Sequence, residues 1–246
     1  MPNFRFTLEY DGTGFVGWQA QADGQRTVQD EFEAAIARVT GQQLRVAAAG
    51  RTDAGVHALG QVVSAQVSTE LSPLVLQRAL NQSLPEDLAV VAAERAADDF
   101  HARFSAIGKL YCYRVWNAST RSPMRSARVH WVARELDVPA MAKAAEAFLG
   151  SHDFAALQAA GSDVESTVRT LERLDVEREP PGELVFWVQG DGFLRHMVRN
   201  LVGTLLEVGS GRRSIESMGE LLACGDRRRA GPTAPAAGLT LVQVFY

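Results

Sequence analysis

A glycine-flanked turn at residues 50–57 (GRTDAGVH) is the feature that most restricts how this chain folds. Apolar residues alternate with others over 44–48 before it, and residues 62–67 after it are typical of a buried strand. A turn between two such runs predicts a strand-to-strand corner on rigid supports. Asp53 lies at that corner, where a rigid backbone would hold a nucleophile or general base in place. Alternatively, Asp53 closes its own turn by an Asx hydrogen bond and Arg51 is solvated.

The chain as a whole has the composition of a globular protein. Its 246 residues, 46% of them hydrophobic, are enough for one large or two modest domains. The first residues lack the basic-then-apolar run of a signal peptide, and no apolar segment approaches the roughly 20 residues that a membrane span needs. The sequence therefore predicts a cytoplasmic protein with no membrane contact. Its two cysteines have no metal-ligand spacing, so we expect buried thiols and no metal.

Periodicity predicts an α+β fold with a mostly antiparallel sheet flanked by helices. The predicted strands cover residues 3–11, 44–48, 62–67, 88–95, 104–116, 128–133, 167–178, 184–190 and 240–246. Predicted helices follow caps at Thr27, Ser72, Asp137 and Ser214, and a strongly amphipathic helix covers 194–208. We expect two lobes that share a central cleft, with residues 1–103 carrying Asp53 and residues 104–246 carrying the long aromatic strand.

Charge is distributed unevenly along the chain, although the net charge is −4. Residues 103–134 contain seven basic and no acidic residues, interleaved with tyrosine and tryptophan. The basic residues are Arg103, Lys109, Arg114, Arg121, Arg125, Arg128 and Arg134. Guanidinium groups that grip phosphates and rings that stack on bases suit a structured RNA. For any single arginine, a solvated strand face explains the position equally well.

Residues 12–17 (GTGFVG) match the GxGxxG pattern of dinucleotide-binding oxidoreductases. That pattern requires a helix to begin inside the motif, so that its amides hold the pyrophosphate. Residues 18–24 have no helical apolar period, and the acidic residue expected about 20 positions on is replaced by glutamates within the next helix. The context therefore disfavours a nucleotide cofactor.

The amphipathic helix predicted over 194–208 offers a partner for Asp53. Arg195 and Arg199 are four residues apart, so both could point at one spot, and Gly203 leaves room for another element or a ligand. An arginine packed beside Asp53 would keep its carboxylate ionised and correctly aimed. His57 and His196 lack partners at metal-ligand spacing, which favours structural roles.

Five blocks of the sequence, in order and spread over nearly the whole chain, resemble the tRNA pseudouridine synthase A family. The blocks are residues 10–19 (YDGTGFVGWQ), 50–58 (GRTDAGVHA), 109–114 (KLYCYR), 193–200 (FLRHMVRN) and 234–239 (APAAGL). The resemblance implies a two-lobed α+β pseudouridine synthase fold with a central RNA-binding cleft. It also implies a homodimer that isomerises uridines 38, 39 and 40 of the tRNA anticodon stem-loop without a cofactor.

The same resemblance implies roles for individual residues. The family's catalytic aspartate falls on Asp53, its uracil-stacking tyrosine on Tyr111, and its conserved arginine on Arg199. We add Arg51, two residues from Asp53, as a group that fills the space left by an extruded uridine or holds a flanking phosphate. The alternative of another class is a catalytically silent tRNA-binding protein on the same scaffold.

Overall fold

The computed structural model describes residues 1–21, 24–161 and 164–246. Ala22 and Asp23, within the segment 18–24 that was predicted not to be helical, lie outside the described residues. The chain forms two compact units: Met1–Ile107 with Thr240–Tyr246 is unit 1, and Gly108–Leu239 is unit 2. The predicted lobes 1–103 and 104–246, and the cleft between them, stay predictions.

The described residues form ten strands and five α-helices. The strands are β1 (Asn3–Tyr10), β2 (Ala47–Ala48), β3 (His57–Gln66), β4 (Leu88–Arg95), β5 (Gly108–Asn117), β6 (His130–Val132), β7 (Gly150–Asp153), β8 (Val168–Glu179), β9 (Glu183–Gly190) and β10 (Leu239–Phe245). The helices are α1 (Val28–Thr40), α2 (Pro73–Ser83), α3 (Val138–Ala145), α4 (Met197–Gly209) and α5 (Ser217–Cys224).

Unit 1 is a sheet in the order β4-β1-β3-β10, with β2 paired to β3. Strand β1 is antiparallel to both neighbours, whereas β10 runs parallel to β3 with Thr240 opposite His57. Alternation along β1 buries one face completely, and the buried faces of α1 and α2 add to the core of the unit. This core includes Phe4, Phe6, Leu8, Phe32, Ile36, Leu76 and Leu80.

In unit 2 the strands follow the order β6-β5-β9-β8-β7 and are antiparallel except for the short parallel pair β5 and β6. Helix α4 is buried along most of its length because apolar and small residues cover several of its faces. The core of this unit includes Tyr113, Phe148, Phe154, Phe186, Leu201 and Leu205.

The α+β class with a mostly antiparallel sheet is confirmed, and the caps at Thr27 and Asp137 accept hydrogen bonds as predicted. Two helix starts were predicted wrongly. Helix α4 begins at Met197 rather than 194, because His196 has a left-handed backbone (φ 59°). Helix α5 begins at Ser217 rather than after a cap at Ser214.

Several strand predictions also differ from the structure: the strand predicted over 44–48 is reduced to Ala47–Ala48, and the one predicted over 62–67 begins already at His57. The long strand predicted over 104–116 begins only at Gly108. Strand β7 was missed, since its four residues have no clear alternation. None of the described helices is long and apolar enough to cross a membrane.

Candidate catalytic site

Asp53 occupies a tight turn that leads into β3. The Val56 amide donates to the Asp53 carbonyl oxygen at 3.1 Å, which closes the turn. Gly55, its third residue, has a φ of +77°, a conformation that glycine adopts without a steric penalty. The Asp53 residue is half-buried, while Thr52 and Val56 on either side are buried. Its carboxylate therefore lies on a backbone that is anchored at both ends.

Residues 12–18 pack directly against this turn. The Trp18 amide donates to the Thr52 carbonyl at 3.0 Å, and the Gly55 amide donates to the Phe15 carbonyl at 3.3 Å. A Cβ at Gly12 would lie 2.1 Å from the Val56 oxygen, and one at Gly17 would lie 2.9 Å from the Thr52 oxygen. Both glycines are needed because two backbones approach within a distance that excludes a side chain.

The GTGFVG motif thus has a structural explanation of its own. Gly12–Gly14 form a short 3-10 turn, capped by the Asp11 side chain, and no α-helix begins inside the motif. This agrees with the predicted failure of the dinucleotide-binding pattern. What sequence reasoning missed is the role of the loop, since its contacts with residues 52–56 join segments about 40 positions apart.

Arg26 fastens the outer side of the same loop. Its guanidinium donates to both Asp87 carboxylate oxygens at 2.7 Å and to Glu31 at 2.9 Å, and lies 4.2 Å over the Phe15 ring. Its carbonyl accepts from the Val16 amide at 3.0 Å. The hydrogen bond with Asp87 is the largest influence on Arg26 and raises its pKa further above the usual value. The loop is consequently held by Arg26 on one side and by the Asp53 turn on the other.

Buried polar groups from β1 and β3 support the turn from below. The Tyr10 and Thr52 hydroxyl oxygens lie 2.8 Å apart, and the Gln61 amide donates to the Gly50 carbonyl at 2.7 Å. Burial raises the pKa of Tyr10 to about 12, although Thr52 and Gln61 oppose that shift. The Tyr10 hydroxyl is therefore neutral throughout the range in which an enzyme works.

His57 is a structural histidine at the end of the turn. Its Nδ1 accepts from the Gly12 amide at 3.0 Å and lies 3.2 Å from Asp11 Oδ1. An Nδ1 that accepts places the ring proton on Nε2. Across the described ranges, no group of three His, Cys, Asp or Glu side chains could hold a metal ion.

Arg51 and Asp53 are brought together by the turn in unit 1. The Arg51 side chain is exposed, and it makes no hydrogen bond or ion pair with the other described residues. Its neighbours Gly50 and Thr52 are both fixed by the hydrogen bonds given above. The structure thus presents a solvent-facing guanidinium from an anchored backbone, two residues before the carboxylate.

Tyr111 lies in unit 2, in the middle of β5 and opposite Val188 of β9. It is 8% exposed, and the Phe193 ring packs edge-to-face against it with centroids 5.0 Å apart. A T-shaped contact of this kind fixes the plane of the tyrosine ring.

Arg199 lies on α4, also in unit 2, and is fastened to the segment before β10. Its Nε donates to the Ala234 carbonyl at 2.7 Å, and the Ala234 amide donates to the Arg199 carbonyl at 3.1 Å. A Cβ at Gly203 would lie 1.7 Å from the Pro232 oxygen, so this glycine admits a backbone, as its position suggested.

The helical spacing that would let Arg195 and Arg199 point at one spot is absent. Arg195 precedes the helix, because the left-handed His196 interrupts the spacing, and its guanidinium donates to the Ala160 carbonyl at 2.9 Å. Whether Arg199 is the partner of Asp53 stays a prediction, as does the role of Tyr111.

The basic segment 103–134 is partly neutralised by residues from elsewhere in unit 2. Arg114 forms ion pairs with Glu179 at 3.1 Å and Glu183 at 2.8 Å, and Arg125 pairs with Glu183 at 2.9 Å. These glutamates lie on the β8–β9 hairpin, about 60 positions further along the chain. The charge summed over residues 103–134 therefore does not include them. The side chains of Arg121 and Arg134 are exposed.

The fold and this turn define an enzyme-like site built around one carboxylate on an anchored backbone. Residues 7–105 and 144–246 match the family model described as tRNA pseudouridine synthase. The matched segments contain Arg51, Asp53 and Arg199, whereas Tyr111 lies between them. The chain belongs to this family, whose members are isomerases that convert uridine to pseudouridine in tRNA.

Similar proteins from three bacteria match along their whole length or nearly so. A tRNA pseudouridine synthase A of Myxococcus xanthus is 48% identical over 247 residues, which cover 100% of this chain and 92% of that protein. The protein of the same name from Solidesulfovibrio magneticus is 50% identical, with the same coverage. A tRNA pseudouridine synthase A 2 of Clostridium perfringens is 40% identical, with 100% of both chains covered.

Proposed function

We propose that this chain isomerises uridines 38, 39 and 40 in the anticodon stem-loop of tRNA, with Asp53 as the nucleophile. The observation that carries the proposal is the anchored turn, which presents a half-buried carboxylate within a segment that matches the family model. The proposal includes a homodimer, which the family resemblance implies. It also includes a cytoplasmic location, because that is where the tRNA substrate is found.

The reaction suits a site with one carboxylate. The bond between ribose C1′ and uracil N1 breaks, and a bond between C1′ and uracil C5 forms. The proton on C5 passes to solvent and N1 gains one, so the product is an isomer and no electrons are exchanged. No redox cofactor is therefore needed. A carboxylate serves this chemistry by adding to the uracil ring or by trapping C1′, and it also acts as a base in elimination.

The other proposed residues act on the extruded nucleoside. Extrusion of a stacked uridine costs a few kcal/mol, which an inserted cationic side chain offsets. The exposed Arg51 suits that insertion, or a flanking phosphate, because it lies on a fixed backbone beside Asp53. Tyr111 would stack on uracil, and Arg199 would orient the Asp53 carboxylate. Exposed arginines such as Arg121 and Arg134 would grip backbone phosphates.

Replacement of the carboxylate tests the proposal. Tritium release from a tRNA transcript labelled at uracil C5 measures the reaction directly, since that position loses its hydrogen. Asp53→Asn is expected to lower kcat by at least about 1000-fold while tRNA affinity changes less than about threefold, because only the reacting group is lost. Asp98→Asn, which alters an exposed carboxylate of the same unit, is the matched control and should react normally.

Three results would contradict the proposal. Normal tritium release by Asp53→Asn would remove Asp53 from the chemistry, and release from uridines outside positions 38–40 would give a different substrate site. Tight tRNA binding by the unaltered protein without any tritium release would favour the catalytically silent binding protein.

A further inference from the structure

We propose that the buried hydroxyl pair of Tyr10 and Thr52 positions Asp53 for the reaction. Neither hydroxyl belongs to the residues that contact the nucleoside in the proposed function. The inference rests on that function, because it assigns Asp53 as the group to be positioned. It assigns Tyr10 and Thr52 as positioning residues that act through the backbone of the turn.

The two hydroxyls join the turn to the sheet of unit 1. Their oxygens lie 2.8 Å apart, Tyr10 is 3% exposed and Thr52 is 7% exposed. Tyr10 is the last residue of β1, which pairs on both sides with other strands. The bond therefore connects the residue next to Asp53 to a strand in the interior of the sheet.

Other contacts surround the same residue and leave it little freedom. The Thr52 carbonyl accepts from the Trp18 amide at 3.0 Å, and Gly17 approaches that carbonyl from the same loop. The Gly50 carbonyl is held by Gln61 at 2.7 Å. These contacts hold the backbone on both sides of Thr52. The bond between the Thr52 and Tyr10 hydroxyls adds a side-chain restraint on rotation of the backbone that leads into Asp53.

The exposure of the turn residues distinguishes those that hold the turn in place from those that face outward. Thr52 and Val56 are buried, whereas Arg51 and Ala54 are exposed and Asp53 is half-buried. Hydroxyl groups buried beneath the more exposed residues of this turn can contribute orientation without any contact with RNA. Misplacement of a reacting group by about 1 Å costs on the order of 100-fold in rate, so a small rotation at Thr52 is sufficient to matter.

Replacements that remove one oxygen atom test the role. Tyr10→Phe and Thr52→Val are each expected to lower kcat about 10-fold to 100-fold with KM within about twofold, in the tritium-release assay on full-length protein. Thr52→Ser keeps the hydroxyl and should retain kcat within about threefold. The double variant should be no slower than the worse single variant, because both changes remove one interaction.

Tyr246→Phe is the matched control for simple loss of stability. The Tyr246 hydroxyl donates to the Ala102 carbonyl at 2.8 Å in the same unit and does not contact the turn. Its kcat should remain within about twofold of the unaltered protein. If Tyr10→Phe does not fold, the Thr52→Val and Thr52→Ser pair decides the question.

Several outcomes would overturn the inference. Normal kcat in Thr52→Val or Tyr10→Phe would do so, and so would a Thr52→Ser variant as slow as Thr52→Val. If Tyr246→Phe loses as much kcat as the Tyr10 and Thr52 variants, the loss reflects a general decrease in stability and not the positioning of Asp53. Because Asp53→Asn is assayed alongside, an inactive Asp53→Asn with normal hydroxyl variants overturns only this inference, whereas an active Asp53→Asn overturns the proposed function.

Discussion

Gly17→Ala is the substitution that most directly tests the contact between the glycine loop and the Asp53 turn. Gly17 has a φ of +108°, which residues with a side chain rarely adopt. Its new Cβ would lie 2.9 Å from the Thr52 oxygen, 3.2 Å from the Ala54 amide nitrogen and 3.3 Å from the Asp53 carbonyl carbon. All three are backbone atoms, so relief requires movement of the turn itself.

The structure gives a magnitude for this change. The backbone conformation costs about 1–3 kcal/mol, and insertion of a methyl group into a tightly packed contact costs about another 1–3 kcal/mol. Gly41→Ala separates the two contributions, because Gly41 has a φ of +73° but no atom within 4 Å of its new Cβ. We expect losses of about 2–6 kcal/mol for Gly17→Ala and about 1–2 kcal/mol for Gly41→Ala.

Two measurements on both variants give the test. Urea unfolding followed by circular dichroism measures the free energy of unfolding, and tritium release measures kcat on folded protein. Gly17→Ala should lower kcat on the order of 100-fold, since the turn that holds Asp53 must move, whereas Gly41→Ala should leave kcat unchanged. Equal kcat values in the two variants would refute the claim that the loop determines the position of Asp53.

The remaining predictions concern ionisation and thiol reactivity. Burial lowers the pKa of His130 from its usual 6.5, so the folded chain takes up a proton less readily than the unfolded one. The contribution of neutral His130 to stability is complete above pH 6.5 and declines as the pH falls. The urea midpoint of a His130→Gln variant should therefore depend less on pH than that of the unaltered protein. An unchanged pH dependence would contradict this prediction. The expectation of buried thiols is confirmed for Cys112 and is wrong for Cys224, which is exposed at the end of α5. Burial raises the pKa of Cys112 to about 11, so in the folded protein a disulfide reagent should modify Cys224 first. If Cys112 in a Cys224→Ser variant reacts at a rate comparable to that of Cys224 in the unaltered protein, Cys112 is not buried and the prediction is wrong.

Local patterns predicted most of the secondary structure because they are short-range. Thr27 and Gly41 bound α1 through a cap and a left-handed glycine, and both signals lie within one turn of the helix. The start of α4 could not be found in this way. Its amphipathic period extends back to Leu194, but His196 adopts a left-handed conformation, of which sequence periodicity carries no sign.

The turn that carries Asp53 was predictable from the local sequence, but the groups that support it were not. Asp53 could be singled out because a carboxylate in a glycine-flanked turn is a local signal. Tyr10, whose hydroxyl lies beneath that turn, is 42 positions from Thr52 in the sequence. The alternation of apolar and polar residues along β1 indicates only that Tyr10 is buried. Pairing between distant polar groups depends on the register of β1 against β3, which places Tyr10 opposite Ala58.

The glycine loop shows why a motif requires its three-dimensional context. A GxGxxG sequence says that backbone must approach something closely, and it does not say what is approached. In a dinucleotide site that partner is a pyrophosphate. Here the partner is the chain's own backbone, with Gly12 against Val56 and Gly17 against Thr52. The absence of a Cβ at these two glycines therefore lets the loop pack against the turn that carries the Asp53 carboxylate. It follows that alanine at either glycine should affect catalysis through Asp53, whereas a loss of nucleotide binding is not expected.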